Sequence, residues 1–404
     1  MLNKTGFFGG FALLALVMFA AAACSNPSLG VKCSVYFYDG TAIIDGLTQT
    51  VKPGTVITLA DWKDDLGNPG YTLAGWQIAG APKVYNGKFN VKNDINFYAV
   101  WLDGVWTGID TPAGLDGIRN DLSKNYFLMN DISLVNYATG DGWIPVGTTD
   151  LGFSGTLNGA GHKITNLMID NEFDYAGLFG VIEGGGVCNL GVEIAAELSI
   201  NFGNTGAAGI TGKLDNGKII NCYSSGKITG TWFSTGGIAG EVINDSLISN
   251  CYSTGQITGY SNTGGIAGYL GDSVYAASMI TNCYSTAEIF AGNTNAGGIA
   301  GYADEGAIAN CAAINPSINT EGNYGRIAGL IENTTAAVEN NYALDSMVNF
   351  DGSFAPDTEN DGIDISEANL MDQSTWEALG WEFGNDLNKP WVMAAGGYPV
   401  FCWQ

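Results

Sequence analysis

The sequence predicts an all-β protein whose main body is a parallel β-helix, a solenoid of stacked coils wound in the right-handed sense. Three observations carry that expectation. A glycine motif returns about every 30 residues, a period in the range of solenoid repeats. An Asn-Cys-Tyr motif follows it in the same rhythm, and 59 glycines accompany a charged fraction of only 14%. Low charge with abundant Gly, Asn and β-branched residues favours turns and stacked strands over helices.

The glycine motif reads Gly-Ile-Ala-Gly at 237–240, 265–268 and 298–301. Variants stand at Gly177-Leu178-Phe179-Gly180, Gly209-Ile210-Thr211-Gly212 and Arg326-Ile327-Ala328-Gly329. Its closing glycines are therefore Gly180, Gly212, Gly240, Gly268, Gly301 and Gly329. Asn-Cys-Tyr occurs at 221–223, 250–252 and 282–284, and a third run follows it, as in Lys227-Ile228-Thr229-Gly230. Each period therefore holds three short strands separated by glycine-rich turns. One such unit is too small to bury a core alone. Stacked one coil per period, each strand bonds its equivalents above and below at a spacing of about 4.8 Å. Insertions such as 272–278 then fall in turns.

The asparagine of the second motif recurs beyond it. Asn166, Asn189, Asn221, Asn250, Asn282, Asn310 and Asn340 form an expected structural ladder, one per coil corner, able to bond neighbouring amides. Asn262 reads as an ordinary exposed turn residue. Cys222, Cys251, Cys283 and Cys311 share one repeat position and read as an interior column of free thiols, because in-register parallel side chains point the same way. Cys33, Cys188 and Cys402 stand outside that column. The column lacks CxxC spacing and histidines, so no metal or other cofactor is expected.

The chain divides into five parts. Residues 1–23 read as a signal peptide: Lys4, an apolar run over 11–19, then alanines before Cys24. Residues 24–32 are the anchor and linker, with Cys24 as the lipidation site. The export signal predicts a protein held at the cell envelope, at the outer membrane or cell surface, touching the membrane only through that lipid. A first β-module spans 33–102. The solenoid spans 105–345, opened by a cap helix at Thr111-Pro112 with Leu115, Ile118 and Leu122 on one face. Residues 346–404 form an acidic linker and a C-terminal cap, with a helix over 366–379 and closing aromatics from Trp381 to Phe401. Solenoid ends need such covers, because exposed strand edges invite pairing.

Two of these parts resemble known families. Within 33–102, Gly70-Tyr71-Thr72-Leu73-Ala74-Gly75-Trp76 and Phe97-Tyr98-Ala99-Val100-Trp101 resemble the Listeria–Bacteroides repeat of internalin-type surface proteins. The resemblance implies a small β-grasp-like module that acts as spacer or interaction unit, with no catalytic residues. Over 105–345, the Gly-Gly-Ile-Ala-Gly and Asn-Cys-Tyr periods resemble GLUG-motif proteins, which implies an adhesin-like bacterial surface protein. Arg326 and Ala312 depart from that pattern, as though the array degenerates toward its end.

Forty acidic residues against fifteen basic ones give a net charge of −25. Such a field repels phosphate backbones, so no nucleic acid is expected as partner. His162 is the only histidine and sits in a Gly-rich turn, where a structural role outweighs a catalytic one. No nucleophile with base and orienting acid is assembled around it. Asp357, Glu359, Asp361 and Asp364 resemble part of a calcium loop, but Ala368 stands where the bidentate glutamate is needed. Trp232, Phe233, Tyr260 and Tyr275 lie in turns, able to anchor an extracellular glycan or protein ligand or to pack on the next turn. The leading expectation is a non-catalytic cell-envelope adhesin or binding protein. A polysaccharide-degrading β-helix enzyme and a stalk without ligand remain open beside it.

Overall fold

The computed structural model describes residues 32–44, 46–59, 68–195, 200–271, 278–332, 338–349, 352, 354 and 360–404. Residues 1–23, Cys24, Tyr275, Asp357 and Glu359 lie outside the described residues.

The body is a stack of parallel coils, as the repeat spacing requires. Successive coils open with the strands Thr156–Thr165, Gly186–Glu193, Lys218–Ile220, Leu247–Ser249, Met279–Thr281, Ala307–Ala309 and Val338–Glu339. Equivalent residues pair in register across coils, so like side chains form columns. Val187 pairs with Ile219, Ile219 with Ile248, Ile248 with Ile280, and Ile280 with Ile308. Ile228, Ile257, Ile289 and Ile318 form a second column. Both columns are buried in one continuous core. The glycine motif builds the third side, a six-stranded parallel sheet running from Phe179–Glu183 to Ala328–Glu332. Burying each isoleucine contributes about 1.5–3 kcal/mol, so each column adds substantially to the core that holds the coils together.

The paired glycines before each Ile-Ala-Gly have a steric cause. A Cβ at Gly264 would lie 2.0 Å from the Ala267 carbonyl, and one at Gly265 would lie 2.0 Å from the Gly298 carbonyl of the next coil. No side chain fits either place. Arg326 takes the second position in the last repeat, where the pattern changes. Its N–H donates to Asp361 Oδ1 at 2.9 Å, and its guanidinium pairs with Asp364 at 2.6 Å. Asn341 likewise replaces the cysteine: its Oδ1 accepts from Cys311 N–H at 2.8 Å and its amide donates to Ile308 O at 2.9 Å. Arg326 thus joins the last repeat to one further strand, Ile363–Ile365, which stacks in parallel on Tyr342–Leu344.

The N-terminal module is a small mixed sheet. Cys33–Asp39 runs parallel to Ile95–Asp103, with Tyr71–Ile78 and Ala81–Tyr85 antiparallel beyond it. Its own core gathers Val35, Phe37, Leu73, Trp76 and Phe97. The module packs on the first coil rather than standing apart from it, through Ala74, Val84, Val100, Leu102, Phe127 and Ala160. Trp106–Ile109 then pairs with Asn125–Leu128, which stacks on Thr156–Thr165. The cap helix is one turn, Pro112–Asp116, with Thr111 accepting from Gly114 N–H and Leu115 buried. Ile118 and Leu115 join the solenoid core.

The C-terminal segment departs from expectation. The helix read over 366–379 is two short ones, Glu367–Leu370 and Gln373–Ala378, each N-capped by its own Ser366 or Asp372 side chain. The chain beyond them does not close the end of the solenoid. It runs back along the side as a strap: Trp381 Nε1 donates to Asn310 O, Tyr284 OH to Pro399 O, and Asn221 Nδ2 to Leu387 O. The physical reason is the outward tyrosine column Tyr223–Tyr252–Tyr284, whose rings stack at 5.1 and 4.9 Å and need an apolar cover. Trp391, Phe401 and Trp403 supply it. Ala312, where that column breaks, lies in the coil that Trp381 reaches.

Candidate functional site

Corners decide what a solenoid can present, and asparagine makes two of them here. Asn166, Asn189, Asn221, Asn250, Asn282, Asn310 and Asn340 all have φ between 52° and 60°. That left-handed conformation is open to Asn and strained for most other residues. The side chains then bond upward: Asn189 Nδ2 to Asn158 Oδ1 at 3.1 Å, Asn221 to Asn189 at 3.0 Å, Asn250 to Asn221 at 3.2 Å, and Asn340 to Asn310 at 2.6 Å. Asn282 Oδ1 takes the Thr281 hydroxyl. Asn166 is not a rung, because Asn158 holds that place. The Asn166 amide bonds Ser133 Oγ and Thr165 Oγ1 instead.

A second ladder escaped the sequence reading. Asn295 Nδ2 donates to Asn262 Oδ1 and Asn323 Nδ2 to Asn295 Oδ1, both at 2.9 Å. Asn262 is thus a paired residue, not a free turn position. The signal was present: Asn262, Asn295 and Asn323 keep one fixed offset from the closing glycines Gly268, Gly301 and Gly329.

Directly alongside this ladder the exposed aromatics sit on one corner. Trp232 is 56%, Phe233 59% and Tyr260 44% exposed. Trp232 and Tyr260, from adjacent coils, meet edge to face at 5.7 Å. Most other large aromatics of the described solenoid and strap are buried or half-buried. Tyr275 lies outside the described residues and is not placed.

The remaining sequence candidates are structural in geometry. Cys222, Cys251, Cys283 and Cys311 are buried free thiols with hydrogen bonds to backbone carbonyls. Burial, reinforced by the neighbouring Cys251 thiol, raises Cys222 and Cys283 well above the ordinary thiol range. His162 is buried between the module and the first coil, with Nδ1 2.9 Å from Asp131 Oδ1 and Nε2 2.7 Å from Val84 O. Burial works against the Asp131 charge, but hydrogen bonds from His162 and Lys83 outweigh it and hold this carboxyl well below the usual range.

A groove of about 870 Å³ at the ends of the six-stranded sheet carries Asp150, Glu183, Asp215 and Asp245. Asp215 is already paired with Lys213 at 3.0 Å and with the Asn244 amide at 2.8 Å. Among the described residues no three His, Cys, Asp or Glu side chains are arranged to hold a metal ion. Carboxylates meet tyrosine hydroxyls at Tyr175–Glu241, Tyr223–Glu193 and Tyr302–Glu332, at different repeat positions rather than along one cleft.

Comparison with known proteins agrees with this geometry. Residues 233–258 and 292–319 match the GLUG motif. The first match runs from the exposed Phe233 through the Asn-Cys-Tyr strand. A stretch of 88 residues, 20% of the chain, is 44% identical to a putative Gly-rich membrane protein of Evansella cellulosilytica, 10% of whose length it covers. Another of 150 residues, 34% of the chain, is 33% identical to Halomucin of Haloquadratum walsbyi and covers 2% of it. The chain thus carries GLUG repeats on a β-solenoid, and it spans only a small fraction of the curated relatives it matches.

Proposed function

We propose that this chain is a cell-envelope binding protein that presents its solenoid surface to an extracellular glycan or protein ligand, without catalysing a reaction. The observation that carries the reading is the corner formed by Trp232, Phe233 and Tyr260. Three large exposed aromatics on two adjacent coils, two of them in edge-to-face contact, are retained against the hydrophobic effect, and exposed clusters of this kind mark interaction sites. The name of one relative, a membrane protein, and the export signal support an envelope location. In this reading Cys24 carries a lipid at the outer membrane or cell surface, and the internalin-type module over 33–102 is the spacer between lipid and solenoid. No nucleic acid partner and no cofactor enter it.

The test is an array of glycans and matrix proteins probed with the full chain in detergent, run beside a polysaccharide turnover assay. Binding without turnover, weakened by Trp232→Ala with Tyr260→Ala, is the expected result. Turnover of a polysaccharide would favour an enzyme, and silence in both assays a stalk. Metabolic labelling with a fatty-acid analogue tests the anchor: wild type is labelled, and Cys24→Ala is unlabelled and released from membranes.

A further inference from the structure

We infer that the Trp232–Tyr260 corner is a subsite for a neutral polysaccharide chain lying along the solenoid axis. This rests on the surface-binding reading above and names its ligand class. The turns that make the corner are 230–236, 259–264 and 291–297, reading GTWFSTG, GYSNTG and AGNTNAG. None of them contains an acidic or basic residue, in a chain with forty acids and fifteen bases. A partner held by charge finds nothing to pair with in these three turns; the next turn along the corner, 319–325, carries the exposed Glu321. Hydroxyls and amides are what the three turns offer instead.

The polar groups are already ordered. The half-buried Asn262 and the exposed Asn323 are both bonded to the buried Asn295 between them, which fixes the two outer amides along the axis with hydrogen-bonding capacity to spare. The aromatic part has room beside it. A Cβ built at Gly292, in the next coil, would meet nothing closer than Tyr260 Cδ2 at 3.6 Å. The glycine therefore leaves a shelf beside the Tyr260 ring that any side chain would fill. Apolar C–H faces of a sugar pack against such rings while its hydroxyls bond side-chain amides, and a few placed polar groups on an aromatic surface give orientation. Coils advance by about 4.8 Å, so an extended chain along the axis meets ring, shelf and amides in turn.

The experiment is affinity electrophoresis of the full chain in detergent through gels containing neutral polymers (glucan, mannan, galactan) or anionic ones (alginate, polygalacturonate), at low and high salt. At least one neutral polymer should retard wild type, equally at both salt concentrations. Tyr260→Ala should weaken retention about tenfold or more. Gly292→Leu should do the same while keeping every aromatic residue and the wild-type unfolding midpoint, since its Cβ is accommodated. Tyr269→Ala, on another face, should bind as wild type. Retardation by neutral polymers that neither corner variant changes would overturn the site. Binding to proteins or anionic polymers alone would overturn the ligand class and leave the surface-binding reading standing. No binding to any ligand would overturn both.

Discussion

Asn250 shows how much one residue type does in this fold. It occupies a left-handed corner with φ of 52° and donates to Asn221 Oδ1. Asn250→Ala removes the bond and places a Cβ residue with no local hydrogen bond in a strained conformation, so it should cost about 1–3 kcal/mol. Asn250→Gly relieves the strain and loses only the rung, about 0.5–1.5 kcal/mol. Asn340, exposed and at the end of the run, should matter less. Asn293, an exposed turn residue of the corner, should stay within about 0.5 kcal/mol when changed to alanine. Urea unfolding of the four variants checks the order, and equal losses for Asn250→Ala and Asn250→Gly would remove the conformational part of the argument. At the same scale, Cys222, Cys251, Cys283 and Cys311 should resist alkylation in the native protein and react in denaturant without reductant. Intact mass showing these cysteines oxidised in pairs would contradict the thiol column.

Among elements, the strap is the least expected. Trp376, Trp381, Trp391, Phe401 and Trp403 form a continuous aromatic stack with centroids 4.6 to 4.9 Å apart, laid on the tyrosine column. Trp391→Ala should cost about 3–5 kcal/mol, as for large aromatics lost from a core. Burial raises the hydroxyls of Tyr252 and Tyr284 above their ordinary value. A raised acid favours its neutral form when folded. This stability is therefore complete below the unfolded value near 10 and lost as pH rises from there through the raised folded value. Tyrosinate absorbance in the wild type should lag behind that of Trp391→Ala in an alkaline titration; coincident curves would mean that the strap does not cover the column. The module junction behaves in the opposite direction. Asp131 is depressed, so its contribution is present above about pH 4 and lost as pH falls further. Asp131→Asn should flatten the acid limb of the stability profile, measured by thermal melts from pH 6 to pH 2.

Across the whole molecule, the solenoid was legible because its information is periodic: the closing glycines from Gly180 to Gly329 fix a coil length, and apolar positions fix what faces in. Aperiodic relations were not legible. The strap joins Trp381 to Asn310 and Gln404 to Tyr252, contacts between unlike segments that no spacing announces. The docking of Val84 on His162 is of the same kind. Of the candidate corner, the sequence marked Trp232, Phe233 and Tyr260 as turn aromatics. It could not say that Trp232 and Tyr260 touch, nor that the Asn262 ladder runs beside them, because both facts depend on register between coils. Columns, ladders and corner all rest on that register, and inter-spin distances test it most directly. Glu183, Asp304 and Glu332 end equivalent strands of the six-stranded sheet, four and five coils apart. Spin labels at Glu183→Cys with Asp304→Cys, and at Glu183→Cys with Glu332→Cys, both in a Cys402→Ser background because that thiol is only half-buried, leave the buried native thiols unlabelled. At about 4.8 Å per coil the two backbone separations are about 19 Å and about 24 Å, so the second pair should read about 5 Å longer. Equal distances, or a shorter second one, would contradict one coil per repeat.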